Sequence, residues 1–227
     1  MTTTTGASGT LKPFAADGPV TVDDEVPLQQ HKPEIRERRT VARSRLFEVE
    51  ALDLTFSNGV QTCFERLVSR GHGAVLIIPL TNDDHILMIR EYAAGTDRYE
   101  LALPKGRIES GEAILEAANR EMMEEVGHGA RELIHLTAMT VAPGYMGHQT
   151  EIVLARDLYP ATAEGDEPEP IEVVRWPLAD LSRLLSEPEC TEARSIAALF
   201  LTREFLAGQF QPNGTARRGG TPPKANR

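Results

Sequence analysis

Cysteine is almost missing: only Cys63 and Cys190 occur among 227 residues, far apart and with no CxxC or His–Cys spacing. That excludes a disulfide scaffold and a structural zinc site, and it is expected of a reducing compartment. Long apolar runs are missing as well. The longest, Ala74–Leu80, is interrupted by Pro79 and falls far short of the roughly 18 residues of a membrane span. The first residues carry neither a basic stretch nor an apolar one, so no secretion signal is expected and a cytoplasmic protein is inferred. Basic charge is in deficit: 24 Lys and Arg against 34 Asp and Glu leave −10, which argues against a nucleic-acid partner held by counterion release. What remains is ordinary for a globular chain, 41% hydrophobic and 26% charged, enough for one buried core.

Thr, Gly, Pro and Asp dominate the beginning of the chain, and residues 1–38 are expected to form a flexible tail, too poor in apolar surface to offset its ordering entropy. Residues 211–227 are expected to be a second flexible tail, basic through Arg217, Arg218, Lys224 and Arg227. Such a tail is usually a solvated segment rather than a phosphate clamp. Residues 39–210 then form one domain.

Within that domain Ser44–Phe56 alternates apolar and polar residues, and Ser57-Asn58-Gly59 signals a hairpin into Val60–Val68. Gly73–Leu80 and His85–Glu91 read as strands joined by the turn Thr81–Asp84. A helix is predicted over Glu112–Val126, closed by Gly127. Strands follow at Glu132–Val141, Glu151–Ala155 and Glu172–Trp176, with helices at Leu178–Leu185 and Glu192–Leu206. Mixed elements without regular βαβ alternation predict an α+β fold, an α/β/α sandwich on a mixed sheet, rather than a Rossmann fold.

The segment Lys105–His128 carries the chemistry. At helical spacing Leu115, Ala118, Met122 and Val126 share one stripe that would pack on the sheet. Glu121, Glu124 and Glu125 fall beside it, where like charges repel. A surface helix normally alternates signs, and a solvated charged face is the plain alternative. A divalent cation reverses the sign of the interaction, and hard carboxylate oxygens suit Mg2+ or Mn2+.

The whole spacing is more specific than the cluster. Gly106, Glu112, then Arg120-Glu121-Met122-x-Glu124-Glu125-x-Gly127 resembles the signature of the Nudix hydrolases, with His128 departing from the usual aliphatic last position. Arg90-Glu91-Tyr92, Glu100-Leu101-x-Leu103-Pro104-Lys105-Gly106 and Ala142-Pro143-Gly144-Tyr145 resemble the ADP-ribose pyrophosphatase branch of that family. Thr40–Phe47, Asp157–Pro160, Gly165–Pro170 and Val174–Leu178 are similar to that branch's hydrolases of ADP compounds.

The resemblance implies a Nudix sandwich with an N-terminal antiparallel β extension over 39–70 that contacts a second subunit, hence a homodimer. It implies Mg2+-dependent hydrolysis of the diphosphate linkage of ADP-ribose, NADH or a diadenosine di- or triphosphate, giving AMP and a second phosphate ester. Position by position, Glu121, Glu124 and Glu125 would hold the metal, Glu112 would assist through water, and the Lys105 or Gly106 carbonyl would add a ligand. Arg120 would orient Glu121. Arg90, Arg98, Lys105 and Tyr145 are the expected substrate contacts, with Arg107 also a phosphate candidate. Phe47 is either an adenine platform or core. The general base stays open between Glu121, a water on the cation and His148. The competing readings are a Nudix hydrolase for a nucleotide sugar or a damaged nucleoside triphosphate, and a silent ligand sensor. No membrane partner is expected.

Overall fold

A computed structural model describes residues 31–69, 71–165 and 167–212, so both expected tails lie largely outside the described residues. Three sheets form among the described residues. The first is antiparallel, in the order β1 (Glu34–Arg43), β2 (Glu48–Thr55), β3 (Gln61–Leu67). The second holds four strands in the order β7 (Lys105–Arg107), β4 (Ala74–Pro79), β9 (Gln149–Pro160), β8 (His128–Thr140). It is mixed, because β4 and β9 run parallel while their neighbours are antiparallel. The third is antiparallel, in the order β10 (Glu172–Pro177), β5 (His85–Ala93), β6 (Arg98–Ala102).

The mixed sheet is the middle layer of the sandwich. Every residue of β4 is buried, as a central strand covered on both faces requires. Its side chains alternate between two cores. Val75 and Ile77, with Val153 and Leu133, meet Ala117, Ala118 and Met122 of α1 (Ile114–Glu125). Leu76 and Ile78, with Ile152 and Leu154, meet Trp176, Leu181 and Leu184 of the following segment and Ala198 and Leu199 of α3 (Ala193–Leu206). Met122 is fully enclosed, so truncating it to Ala would cost about 2–5 kcal/mol. No helix among the described residues is long and apolar enough to cross a membrane.

Several expectations shift by identifiable causes. The N-terminal extension begins inside the expected tail, because β1 starts at Glu34, ahead of residue 39, and pairs along β2 from Glu34↔Thr55 to Arg43↔Glu48. Its polar sequence, EIRERRTVAR, hides the strand from a pattern search, and nearly the whole of β1 is exposed. Short β6 and β7 also escaped. Helix α1 starts at Ile114, after Gly111 at φ +82°, and ends at Glu125, followed two residues on by Gly127 at φ +70°, the left-handed stop that a glycine permits. The stretch Leu178–Leu185 divides into a 3-10 turn, Leu178–Asp180, and a short α2, Leu181–Leu184. His128 opens β8, with Nδ1 3.0 Å from the Val126 carbonyl oxygen.

Candidate active site

The signature residues meet where the edge strand β7 passes α1. Gly106 pairs with Val75 and faces the helix. A Cβ at this position would lie 1.9 Å from Cδ of Glu121, so the carboxylate occupies space that any side chain would take. One turn of α1 gathers around Arg120. Its Nε donates to Glu112 Oε1 at 2.8 Å, and Nη2 donates to Glu112 Oε2 at 3.0 Å and to the Arg107 carbonyl at 2.9 Å. Nη1 donates to Glu121 Oε1 at 2.8 Å and to Glu124 Oε2 at 3.2 Å. This planar fork satisfies three carboxylates at once. The bond from Arg120, helped by the Glu109 amide, holds the Glu112 carboxyl below the usual carboxylate range despite partial burial. The same bonds to Glu112 and Glu121 raise the guanidinium pKa further.

Glu125 does not stay on the helix edge as its spacing suggested. It turns inward and is 7% exposed, and its Oε2 accepts the Lys105 N–H at 2.9 Å. Burial pushes its carboxyl up to about 8, against the pull of the Lys105 amide, and the charges of Glu91 and Glu121 add to the rise. Lys105 spends its ammonium on Glu91, 2.6 Å away. Among the described residues no three acidic, His or Cys side chains converge on one point as they stand, because Arg120 holds Glu112, Glu121 and Glu124. The donor chemistry nevertheless fits a hard divalent cation. Four carboxylates share one helical turn and its lead-in loop, and the buried one keeps a proton where a cation would balance it.

An open cleft of about 1450 Å3 extends from this cluster. Glu121, Glu124, Glu125, Arg120 and Lys105 all line it. Arg90 and Arg98 are not among the residues that line it, and each is engaged within the chain. Arg90 bonds Glu172 at 2.5 Å and Glu189 at 2.9 Å, because register sets Glu172 opposite Arg90 on β10. Arg98 bonds Glu100 at 2.8 Å and Thr191 at 2.9 Å. Tyr145 does not line the cleft either. Its ring is exposed beside the cleft-lining Met146, and its carbonyl accepts the Leu67 N–H at 2.8 Å. Phe47 is 60% exposed and lines the cleft, so the core alternative for it falls. His148 lines it too, and burial together with the nearby Arg194 charge lowers its pKa.

Sequence reasoning missed three contributors. Arg45 reaches the cleft from the β1–β2 turn, and Glu164 and Glu167 reach it from the loop after β9. No local spacing marks these residues, because they belong to loops that chain closure brings to the helix. That loop is pinned to α1 and its end by Ala163 N–H to the Met123 carbonyl at 3.2 Å and Ala161 N–H to the Gly127 carbonyl at 3.1 Å.

The NUDIX domain profile matches residues 70–200, and the profile of the NudE-type Nudix hydrolase N-terminal domain matches residues 33–66. With this signature seated on an α/β/α sandwich, the chain belongs to the Nudix hydrolase family and is an enzyme of that class. It is similar to the ADP compounds hydrolase NudE of Escherichia coli (strain K12), 54% identical over 178 residues, spanning 78% of this chain and 95% of that protein. A crystal structure of an ADP compounds hydrolase superposes with a TM-score of 0.75 at 53% identity, covering 79% of this chain and 97% of that one. The ADP-ribose pyrophosphatase of Bacillus subtilis (strain 168) is 28% identical over 170 residues, 72% of this chain and 91% of that protein.

Proposed function

We propose that the chain hydrolyses the diphosphate linkage of ADP compounds, among them ADP-ribose, NADH and diadenosine di- or triphosphate, to AMP and a second phosphate ester. The observation that carries this reading is the Gly106–Glu121–Arg120 arrangement opening onto a cleft large enough for two joined nucleoside-sized groups. The similarity to an ADP compounds hydrolase over nearly all the described chain supports the substrate class.

Glu121, Glu124 and Glu125 would hold Mg2+, with Mn2+ as a substitute, and Glu112 and the Lys105 carbonyl would support it. When bound, the cation neutralises diphosphate charge and acidifies a water for in-line attack. Arg120 keeps Glu121 and Glu124 in place, and Glu125 would give up its proton where a bound cation balances its charge. Lys105, tied to Glu91, offers its peptide to Glu125 while its side chain stays near the substrate. Phe47 offers an exposed ring for a base to stack on, with Tyr145 as a second ring beside the cleft.

Attack by water breaks one P–O bond of the bridge and releases a proton. Glu164 fits the role of acceptor, being exposed on the cleft wall and without a partner among the described residues. His148, held neutral by burial and Arg194, is the second candidate. Glu164→Gln and His148→Ala separate them by which variant loses kcat while the Mg2+ dependence of the rate stays unchanged.

The first sheet supports a homodimer. Among the described residues no helix or other sheet packs extensively against it, and Val41 and Phe64 are exposed on it. A second copy across a two-fold axis is the common solution for such a surface. Two unbonded cysteines agree with a cytoplasmic enzyme. The deciding assay measures AMP release from ADP-ribose, NADH and diadenosine triphosphate with and without Mg2+. Absence of AMP from all three removes the substrate class, and turnover of a nucleotide sugar instead would reassign it.

A further inference from the structure

With 34 acidic residues against 24 basic ones, an arginine in this chain finds a carboxylate easily. Nearly all the described arginines do: Arg120 holds three, Arg90 two, and Arg194 bonds Glu192. Among the described residues only Arg38, Arg45 and Arg107 form no ion pair. Arg38 lies on exposed β1, away from the cleft, whereas Arg45 and Arg107 both line it.

Both are fixed at the backbone. Arg45 sits inside a turn closed by the Ser44 N–H to the Phe47 carbonyl at 2.7 Å and by the Phe47 N–H to Ser44 Oγ at 2.9 Å. Arg107 is paired with Ala74, and its carbonyl is taken by Arg120 at 2.9 Å. Because side chains alternate along a strand, Arg107 leaves β7 on the face opposite the one where Gly106 meets Glu121. The glutamate cluster therefore does not neutralise it. Two guanidinium groups with anchored peptides, no ion-paired carboxylate and access to one open cleft match the donor pattern for a phosphate.

We propose that Arg45 and Arg107 form a phosphate subsite, separate from the glutamate cluster, that takes a phosphate beyond the scissile diphosphate. The inference rests on the ADP-compound reading and adds a preference to it. Of two otherwise similar compounds, the one with a third phosphate, in the bridge or on a ribose, is favoured.

The test compares kcat/KM for diadenosine triphosphate against ADP-ribose, and for NADPH against NADH, in the wild type, Arg45→Gln, Arg107→Gln and the double variant. The expected result is that the double variant lowers the preference for the third phosphate in at least one pair by about tenfold to a hundredfold, mainly through KM. The pair that responds tells a bridge phosphate from a ribose phosphate. Unchanged ratios in both pairs overturn the subsite. A second measurement is independent of turnover. Inorganic tripolyphosphate is titrated calorimetrically into divalent-free protein, where binding to the wild type that is lost in the double variant is expected. Absence of wild-type binding overturns the subsite even if hydrolysis proceeds. Normal tripolyphosphate binding without turnover of any ADP compound would instead count against the function above and leave the subsite standing.

Discussion

Gly106 and Glu121 compete for one volume: a Cβ on residue 106 would lie within 2.2 Å of all three carboxylate atoms of Glu121. The conflict is with the end of a flexible side chain rather than with backbone. Gly106→Ala is therefore expected to fold with little change in Tm while displacing the carboxylate. Loss of about 10²-fold in kcat at saturating Mg2+ is the expected outcome, the usual effect of an ångström-scale misplacement. A variant with wild-type turnover would show that Glu121 does not act from this position.

Arg120 spreads one guanidinium over Glu112, Glu121, Glu124 and the Arg107 carbonyl. A lysine keeps the charge and loses the fork. In Arg120→Lys the Mg2+ concentration giving half-maximal rate should rise, and activity at fixed Mg2+ should fall about 10–100-fold, as for other groups that orient metal-binding carboxylates. Titration of Mg2+ in both proteins reads this directly, and superimposable curves would assign Arg120 to structure alone.

Glu125 sets function against stability. Its carboxyl stands near 8, compared with an ordinary value of 4.5. As pH climbs from about 5 to 8, the unfolded chain ionises this group while the folded, metal-free chain keeps it protonated, so its contribution to folding becomes steadily less favourable. Glu125→Gln keeps the acceptor for the Lys105 amide and removes the titration. The metal-free variant should melt higher than the wild type by a margin that widens from pH 5 to pH 8, while its kcat falls by about 10³-fold. A constant margin, or near-normal turnover, would contradict the respective half of this expectation.

Glu192 ties α3 to the loop that delivers Lys105. Its Oε2 accepts the Ser195 N–H at 2.7 Å and the Ser195 hydroxyl at 2.8 Å, and the Leu103 N–H in turn donates to Ser195 Oγ at 2.9 Å. Burial alone would raise this carboxyl, but Arg194 and Ser195 outweigh it and hold it below the usual range. Glu192→Ala should cost about 0.5–2 kcal/mol at neutral pH, the range for a lost helix cap. Because the folded pKa is depressed, the contribution is fully present above the ordinary carboxylate range and fades as pH falls through the folded value. Denaturant melts at pH 7 and pH 3 should therefore show the gap between the two proteins closing in acid.

Position 128 and the N-terminal sheet mark how far local pattern reaches. The helix with its glutamates was legible because periodicity and a glycine stop are encoded within a few residues. β1 was not, since four arginines and two glutamates along EIRERRTVAR leave no apolar alternation to detect. Nor did the tally of basic residues near the signature say which would face the cleft. Arg90 and Arg98 are engaged by Glu172, Glu189 and Glu100, partners supplied by strand pairing and by segments late in the chain.

The amino-acid order alone determined the reactive helix, its clustered carboxylates and the two glycines at 106 and 127, because these depend on spacing within single turns. Tertiary structure alone decided that Glu125 is buried, that Arg45 and Arg107 rather than Arg90 and Arg98 reach the cleft, and that Glu164 returns to it. Those outcomes follow from β4 and β9 pairing in parallel, Leu76 beside Ile152, which draws distant loops to one edge of the sheet. Contacts of that range are set by which arrangement buries the most apolar surface, and no short stretch of sequence contains them.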